Sequence, residues 1–136
     1  MNSKVLVGAI LGGIVHFFAG WLLYGMLLMD FFAENAGSAT GVDKGEMMEL
    51  PYVALGSLVT GLLFSLLYSR MSVNSMMDGL TTGLWIGFLF GLGMDLTMYG
   101  TTNIANMTAA LVDPIVMGVM GALTGAIIGW WNSRGK

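Results

Sequence analysis

Two ionisable residues, His16 and Asp95, stand inside otherwise apolar stretches of the sequence. Placing such a group at membrane depth is costly, so its first reading is functional: a group that carries protons or lines a polar path. Each continues a row of glycines at four-residue spacing. Gly8 and Gly12 lead to His16, and Gly79, Gly83, Gly87 and Gly91 lead to Asp95. A four-residue step overshoots a 3.6-residue turn by about 40°, so each ionisable residue falls near the face its glycines occupy. A His16–Asp95 contact is therefore geometrically open. The alternatives are a neutral His16 imidazole bonded to a carbonyl between helices, and an Asp95 carboxylate that reaches headgroups or water.

Asp95 also belongs to a second set: Tyr99, Thr101, Thr102, Asn103, Thr108 and Asp113 follow it, and Asp30 ends the first apolar run. Carboxylates, hydroxyls and an amide are hard oxygen ligands that suit a cation or a polar solute. Asp113 has a plainer reading, because a carboxylate before Pro114 is an ordinary helix start with proline in the first turn. Of the 13 methionines, Met26, Met29, Met47, Met48, Met94, Met98 and Met107 fall toward the same side. Thioethers take soft Cu(I), but with no cysteine and a single histidine they read as flexible apolar filler, and neither a metal nor a cofactor is expected. No nucleotide loop, zinc-protease motif, catalytic triad or basic nucleic-acid face occurs, so an enzyme is not expected. Asn106-Met107-Thr108 matches a glycosylation acceptor, which matters only in a eukaryotic secretory membrane.

The elements that must position these groups follow from composition. With 56% of residues hydrophobic and 10% charged, there is too little polar surface for a water-soluble fold. The apolar residues are contiguous, in four runs near the ~20 residues that cross a bilayer core, and they lack the alternation of barrel strands. The expectation is one all-α membrane domain over 1–136, with helices at about 5–28, 50–69, 79–99 and 109–131 and an acidic loop at 30–49. The first run is too long for a signal peptide and no small-residue cleavage site follows it, so it is read as retained. The loop contains Ala36-Gly37-Ser38-Ala39-Thr40-Gly41 and is expected to be the most mobile segment. The short polar link from Arg70 to Asp78 predicts that the second and third helices pack as antiparallel neighbours.

The second half reads as a repeat of the first, the alternative being chance matches in a glycine-rich composition. Thr60 to Arg70 aligns without gaps to Thr124 to Arg134, and Gly8, Gly12, Tyr24 and Gly25 align to Gly83, Gly87, Tyr99 and Gly100. Two tandem helical hairpins, related by a pseudo-two-fold along the membrane normal, are the architecture this implies. Small residues at four-residue spacing, including Gly121, Gly125 and Gly129, let helix backbones approach closely. Lys4, Arg70, Arg134 and Lys136 fall on one side. Asp30, Glu34, Asp43, Glu46 and Glu49 crowd the other, where Lys44 is the one basic residue. Basic residues are retained inside, so both termini are expected in the cytoplasm, with Trp130 and Trp131 as an interfacial anchor.

Gly20-Trp21-Leu22-Leu23-Tyr24-Gly25, the stretch from Asp95 to Asn103, and Val112-Asp113 resemble signatures of small bacterial four-helix membrane proteins of unknown function. The resemblance spans nearly the whole chain. It implies a bacterial inner-membrane location and groups Asp95, Tyr99, Asn103 and Asp113 as a unit. The long acidic loop departs from that pattern. Two functions then compete. One is a structural or accessory component, either a homo-oligomer or the partner of another membrane protein. The other is an oligomeric permeation protein for protons, cations or polar solutes that uses His16 and Asp95.

Overall fold

The computed structural model describes residues 2–42, 44 and 48–134. Helix α1 covers Ser3–Leu22 and continues through one π turn at Leu23–Leu27 into the short α2, Met29–Glu34. The remaining helices are α3, Leu50–Met71; α4, Met76–Thr101; and α5, Met107–Ser133. Four helical segments are long and apolar enough to cross a membrane: α1 with its π turn, α3, α4 and α5. Large apolar side chains of these helices, including Ile10, Phe18, Trp85 and Phe90, lie on the outside, where a membrane-spanning bundle would meet lipid.

Local chemistry explains the helix ends. Asn2, Ser75 and Asn106 cap α1, α4 and α5 by accepting hydrogen bonds from the backbone N–H groups of Val5, Asp78 and Ala109, at 2.9, 3.1 and 2.9 Å. Pro51 sits in the first turn of α3, where its missing N–H costs nothing. Ser72 closes α3 in a left-handed conformation with φ at 58°. Pro114 behaves differently from its expected role. Asn106, not Asp113, caps α5, so Asp113 and Pro114 lie two turns inside the helix. The proline therefore leaves the Ala110 carbonyl without its usual i+4 donor.

The helices are ordered α3, α1, α5, α4. The extensive seams are α1 with α3, α1 with α5, and α4 with α5. The expected α3–α4 seam does not form. The two helices are joined by a short turn and by the buried Tyr68 hydroxyl, which donates to the Gly79 carbonyl at 2.7 Å. The reason lies in where the glycines look. A Cβ placed on Gly79, Gly83 or Gly87 would lie 2.1, 2.0 or 2.2 Å from the carbonyl oxygens of Gly125, Gly121 and Met117 on α5. Gly121, Gly125 and Gly129 return the approach toward Gly83, Gly79 and Ser75. Backbone is thus stacked on backbone, with α4 committed to α5. In the first hairpin, Gly61 closes on the Ala9 carbonyl, Gly13 on Ser57 and Leu58, and Gly8 on Ser65. Gly12 looks across to Ile128 and Thr124 on α5. The repeat alignment would set Gly61 opposite Lys4 rather than Ala9, so the two hairpins use different registers.

The first turn of α1 and the last turn of α5 lie at one end of the bundle. Trp131 Nε1 donates to the Lys4 carbonyl at 2.9 Å, and Lys4 Nζ donates to the Arg134 carbonyl. The opposite, loop end carries regular structure over residues 29–39. Residues 29–34 form α2, and residues 35–39 then pair with the α4–α5 connection. Gly37 N–H donates to Ile104 at 2.8 Å, Ala39 N–H to Asn103 at 3.0 Å, and Asn106 N–H to Asn35 at 3.0 Å. Asp43, Gly45, Glu46 and Met47, like Lys136, lie outside the described residues. Beyond the paired strap, Lys44 forms an ion pair with Glu49.

Candidate functional site

The site is assembled by the antiparallel α4–α5 register. Gly91 abuts Pro114 and Met117, so the next turn of α4 toward the loop end carries Asp95 to the level of Ala110 and Asp113. Asp95 and Asp113 line one cavity of about 150 Å³ together with Tyr99, Thr102, Ala110 and Phe32. One Asp95 carboxylate oxygen, Oδ2, is buried without a hydrogen-bond partner. Asp113 accepts a hydrogen bond from the Tyr24 hydroxyl, which crosses from the π turn of α1. The Thr102 hydroxyl turns back to the Met98 carbonyl at 2.7 Å. Ala110, whose carbonyl Pro114 cannot satisfy, faces the same space. The arrangement can hold a small polar or cationic group between two carboxylates and a phenol.

Of the residues the sequence grouped, Asp95, Tyr99 and Asp113 meet. Asn103 does not join them. Its side chain donates to Ser38 Oγ at 2.6 Å and its carbonyl accepts from Ala39, so it fastens the strap. His16 stands apart as well. It lies one turn from Gly12 and one from Gly20, which face Thr124 and Met120 of α5. Its Nδ1 is buried without a partner, as is Thr124 Oγ1. No ion pair joins His16 to Asp95 among the described residues, because α5 stands between α1 and α4.

Tyr24 is the participant that reasoning from ionisable residues passed over. One signal in the sequence pointed to it, its alignment with Tyr99, and the structure adds a π turn, which often marks a functional position. Its ring packs on Phe32 at a 5.5 Å centroid separation, so Tyr24→Phe removes the hydroxyl while keeping the packing. That variant is expected to lose about 1–3 kcal/mol of unfolding free energy in detergent, through the stranded Asp113 oxygen. A change below a few tenths of a kcal/mol would mean that the carboxylate does not depend on Tyr24.

Along α5 from the cavity the packing becomes apolar. Ala19, Val116 and Met120 form a buried cluster, with Leu23, Tyr24, Leu28, Phe32 and Val112 packed against it. Val116 and Met120 lie one and two turns further along α5 from Asp113. No group of three or more histidine, aspartate or glutamate side chains suited to a metal ion occurs among the described residues. Comparison with protein-family models, curated proteins and solved structures finds no match to this chain, so the resemblance to small bacterial four-helix membrane proteins does not become a family assignment.

Proposed function

We propose that this protein is a multi-pass component of a bacterial inner membrane with both termini cytoplasmic, serving a structural or accessory role. The observation that carries this reading is the closure of the bundle. Helix backbones meet at Gly79, Gly83, Gly87, Gly121 and Gly125 in a glycine zipper, and a buried apolar cluster lies one to two turns along α5 from the Asp95–Asp113 cavity. A single chain with that interior has a polar recess at its outer end, not a path. Gly56 and Gly93 have nothing within 4 Å and offer small, open helix surfaces to a second copy or another membrane protein. The basic side chains at the terminal end and the acidic ones at the loop end support the orientation. The tandem-hairpin relation rests on the sequence alignment, with packing registers that differ between the halves.

Permeation is the second reading, favoured by the buried, unpartnered atoms His16 Nδ1 and Asp95 Oδ2. Flux of protons or monovalent cations into liposomes separates the two. The expected result is no flux above protein-free vesicles, with the mass of the assembly measured in the same membranes. Flux through wild type that is lost in both His16→Ala and Asp95→Asn, with the assembly intact, would replace the structural reading by the permeation one.

A further inference from the structure

At the terminal end, away from the carboxylate cavity, a second recess of about 270 Å³ opens between the start of α1 and the end of α3. Its polar lining is Asn2, Lys4, Ser69, Ser72, Asn74 and Asn132, with no carboxylate. These groups arrive from separate elements for structural reasons. Asn2 caps α1, Ser72 takes the left-handed position that ends α3, and Asn132 donates to the Val73 carbonyl at 3.0 Å. Asn74 is exposed in the α3–α4 turn and its side chain makes no hydrogen bond among the described residues. Lys4 supplies a full positive charge, and Arg70 follows Ser69 on α3. The first turn of α1 adds the N–H groups of Ser3 and Lys4, which no helical carbonyl can take and which favour an anion.

We propose that this recess binds the phosphate headgroup of an anionic phospholipid of the inner leaflet. An anion fits a lining of hydroxyls, amides and one ammonium without a competing carboxylate. The lipid, rather than free phosphate, is favoured by the surroundings. Leu6, next to the lining residue Val5 on α1, and Met71, next to the lining residue Ser72 at the end of α3, are exposed at 47% and 51%, leaving apolar surface for acyl chains. Trp131, with Lys4 Nζ 5.8 Å from its ring, and Trp130, with the Arg134 guanidinium 5.1 Å from its ring, mark the headgroup level. Basic recesses between membrane helices on the cytoplasmic side are suited to such headgroups. The inference rests on the membrane reading, which is tested separately by whether the chain stays with membranes through alkaline carbonate extraction.

The test is lipid retention by the delipidated full chain in detergent, read by native mass spectrometry with phosphatidylglycerol or phosphatidylcholine added. Wild type is expected to keep phosphatidylglycerol preferentially. Lys4→Gln should weaken that retention about fivefold, the order of magnitude for one basic side chain at a membrane surface. Because Lys4 also holds the Arg134 carbonyl, Asn74→Asp is the second variant. It adds a negative charge in an exposed turn and should bring retention down to the phosphatidylcholine level at unchanged helical content. Equal retention of the two lipids by wild type, or loss of preference in neither variant, would overturn the proposal. Full displacement of phosphatidylglycerol by millimolar inorganic phosphate would assign the recess to free phosphate instead.

Discussion

Gly83→Val is expected to destabilise the bundle by about 3 kcal/mol, at the upper end of what overpacking a close seam usually costs. A Cβ at this position lies 2.0 Å from the Gly121 carbonyl oxygen and 2.7 Å from its carbonyl carbon, and the Tyr68 hydroxyl is 3.0 Å away. Two of these three neighbours are backbone, which cannot rotate aside as the tip of a long side chain does. Gly121 faces Gly83 with the same closeness, 2.2 Å to its carbonyl oxygen, so relief at one helix is blocked by the other. Relief therefore requires α4 and α5 to separate along their length, which also moves Asp95 away from Asp113. Equilibrium unfolding in mixed micelles, followed by far-ultraviolet circular dichroism, measures the loss. Gly93→Ala supplies the contrast: nothing lies within 4 Å of that position, and trading a mid-helix glycine for alanine should be neutral or gain up to about 1 kcal/mol. Equal stability of Gly83→Val and Gly93→Ala would contradict the α4–α5 seam described above.

The second large effect concerns the strap over the carboxylate cavity. Ala36 and Ala105 form an isolated antiparallel bridge, flanked by the Gly37-to-Ile104 and Asn106-to-Asn35 hydrogen bonds. That pattern makes them a non-hydrogen-bonded pair, with Cα atoms about 4.5 Å apart and side chains on the same face. The separation falls inside the range a disulfide spans. The sequence has no cysteine, so Ala36→Cys with Ala105→Cys introduces only the intended thiols. Mild oxidation should close an intramolecular bridge nearly to completion, read as a mass loss of two hydrogens and a shift in gel mobility. Closing a loop of roughly 70 residues corresponds to ~4 kcal/mol in the chain-entropy estimate. Either single variant should give only intermolecular dimers. A double variant that does the same would mean that residues 35–39 and 103–106 are not paired.

The strap and the close α4–α5 glycine seam divide the work between them. The glycine rows set how close α4 and α5 come, and so place the two aspartates at one level. The paired loops then cover that level, with Phe32 of α2 and Ile104 and Ala105 of the α4–α5 connection as walls of the cavity. Asn35 contributes twice, through its carbonyl and through its side-chain oxygen, which accepts from Asn106 Nδ2 at 3.0 Å. The pairing of these two asparagines is not legible in the sequence, because a hydrogen-bonded loop pair depends on which loops the helices bring together.

Hydropathy alone settles that the chain makes four long apolar helices, because a run of about twenty apolar residues has few other ways to satisfy its backbone in lipid. Glycine spacing likewise marks which helix faces can approach closely. Those faces are local properties of one helix at a time, readable from a 3.6-residue period. The choice of partner is not local. Rows on α1, α4 and α5 are alike in composition, and only three-dimensional packing decides that Gly83 meets Gly121 while Gly12 meets Ile128. That choice determines the site: α5 takes the place beside α4, Asp95 meets Asp113, and His16 is left on the far side of α5. Pro114 misled for a related reason. A proline reads as a helix start when only its own backbone is considered, yet Asn106 caps the helix two turns earlier and the bundle tolerates the freed Ala110 carbonyl beside a polar cavity. Tyr24 entered the site through a π turn, a one-residue adjustment of helix register that no hydrophobic pattern encodes and that the packing of α1 against α5 brings into place.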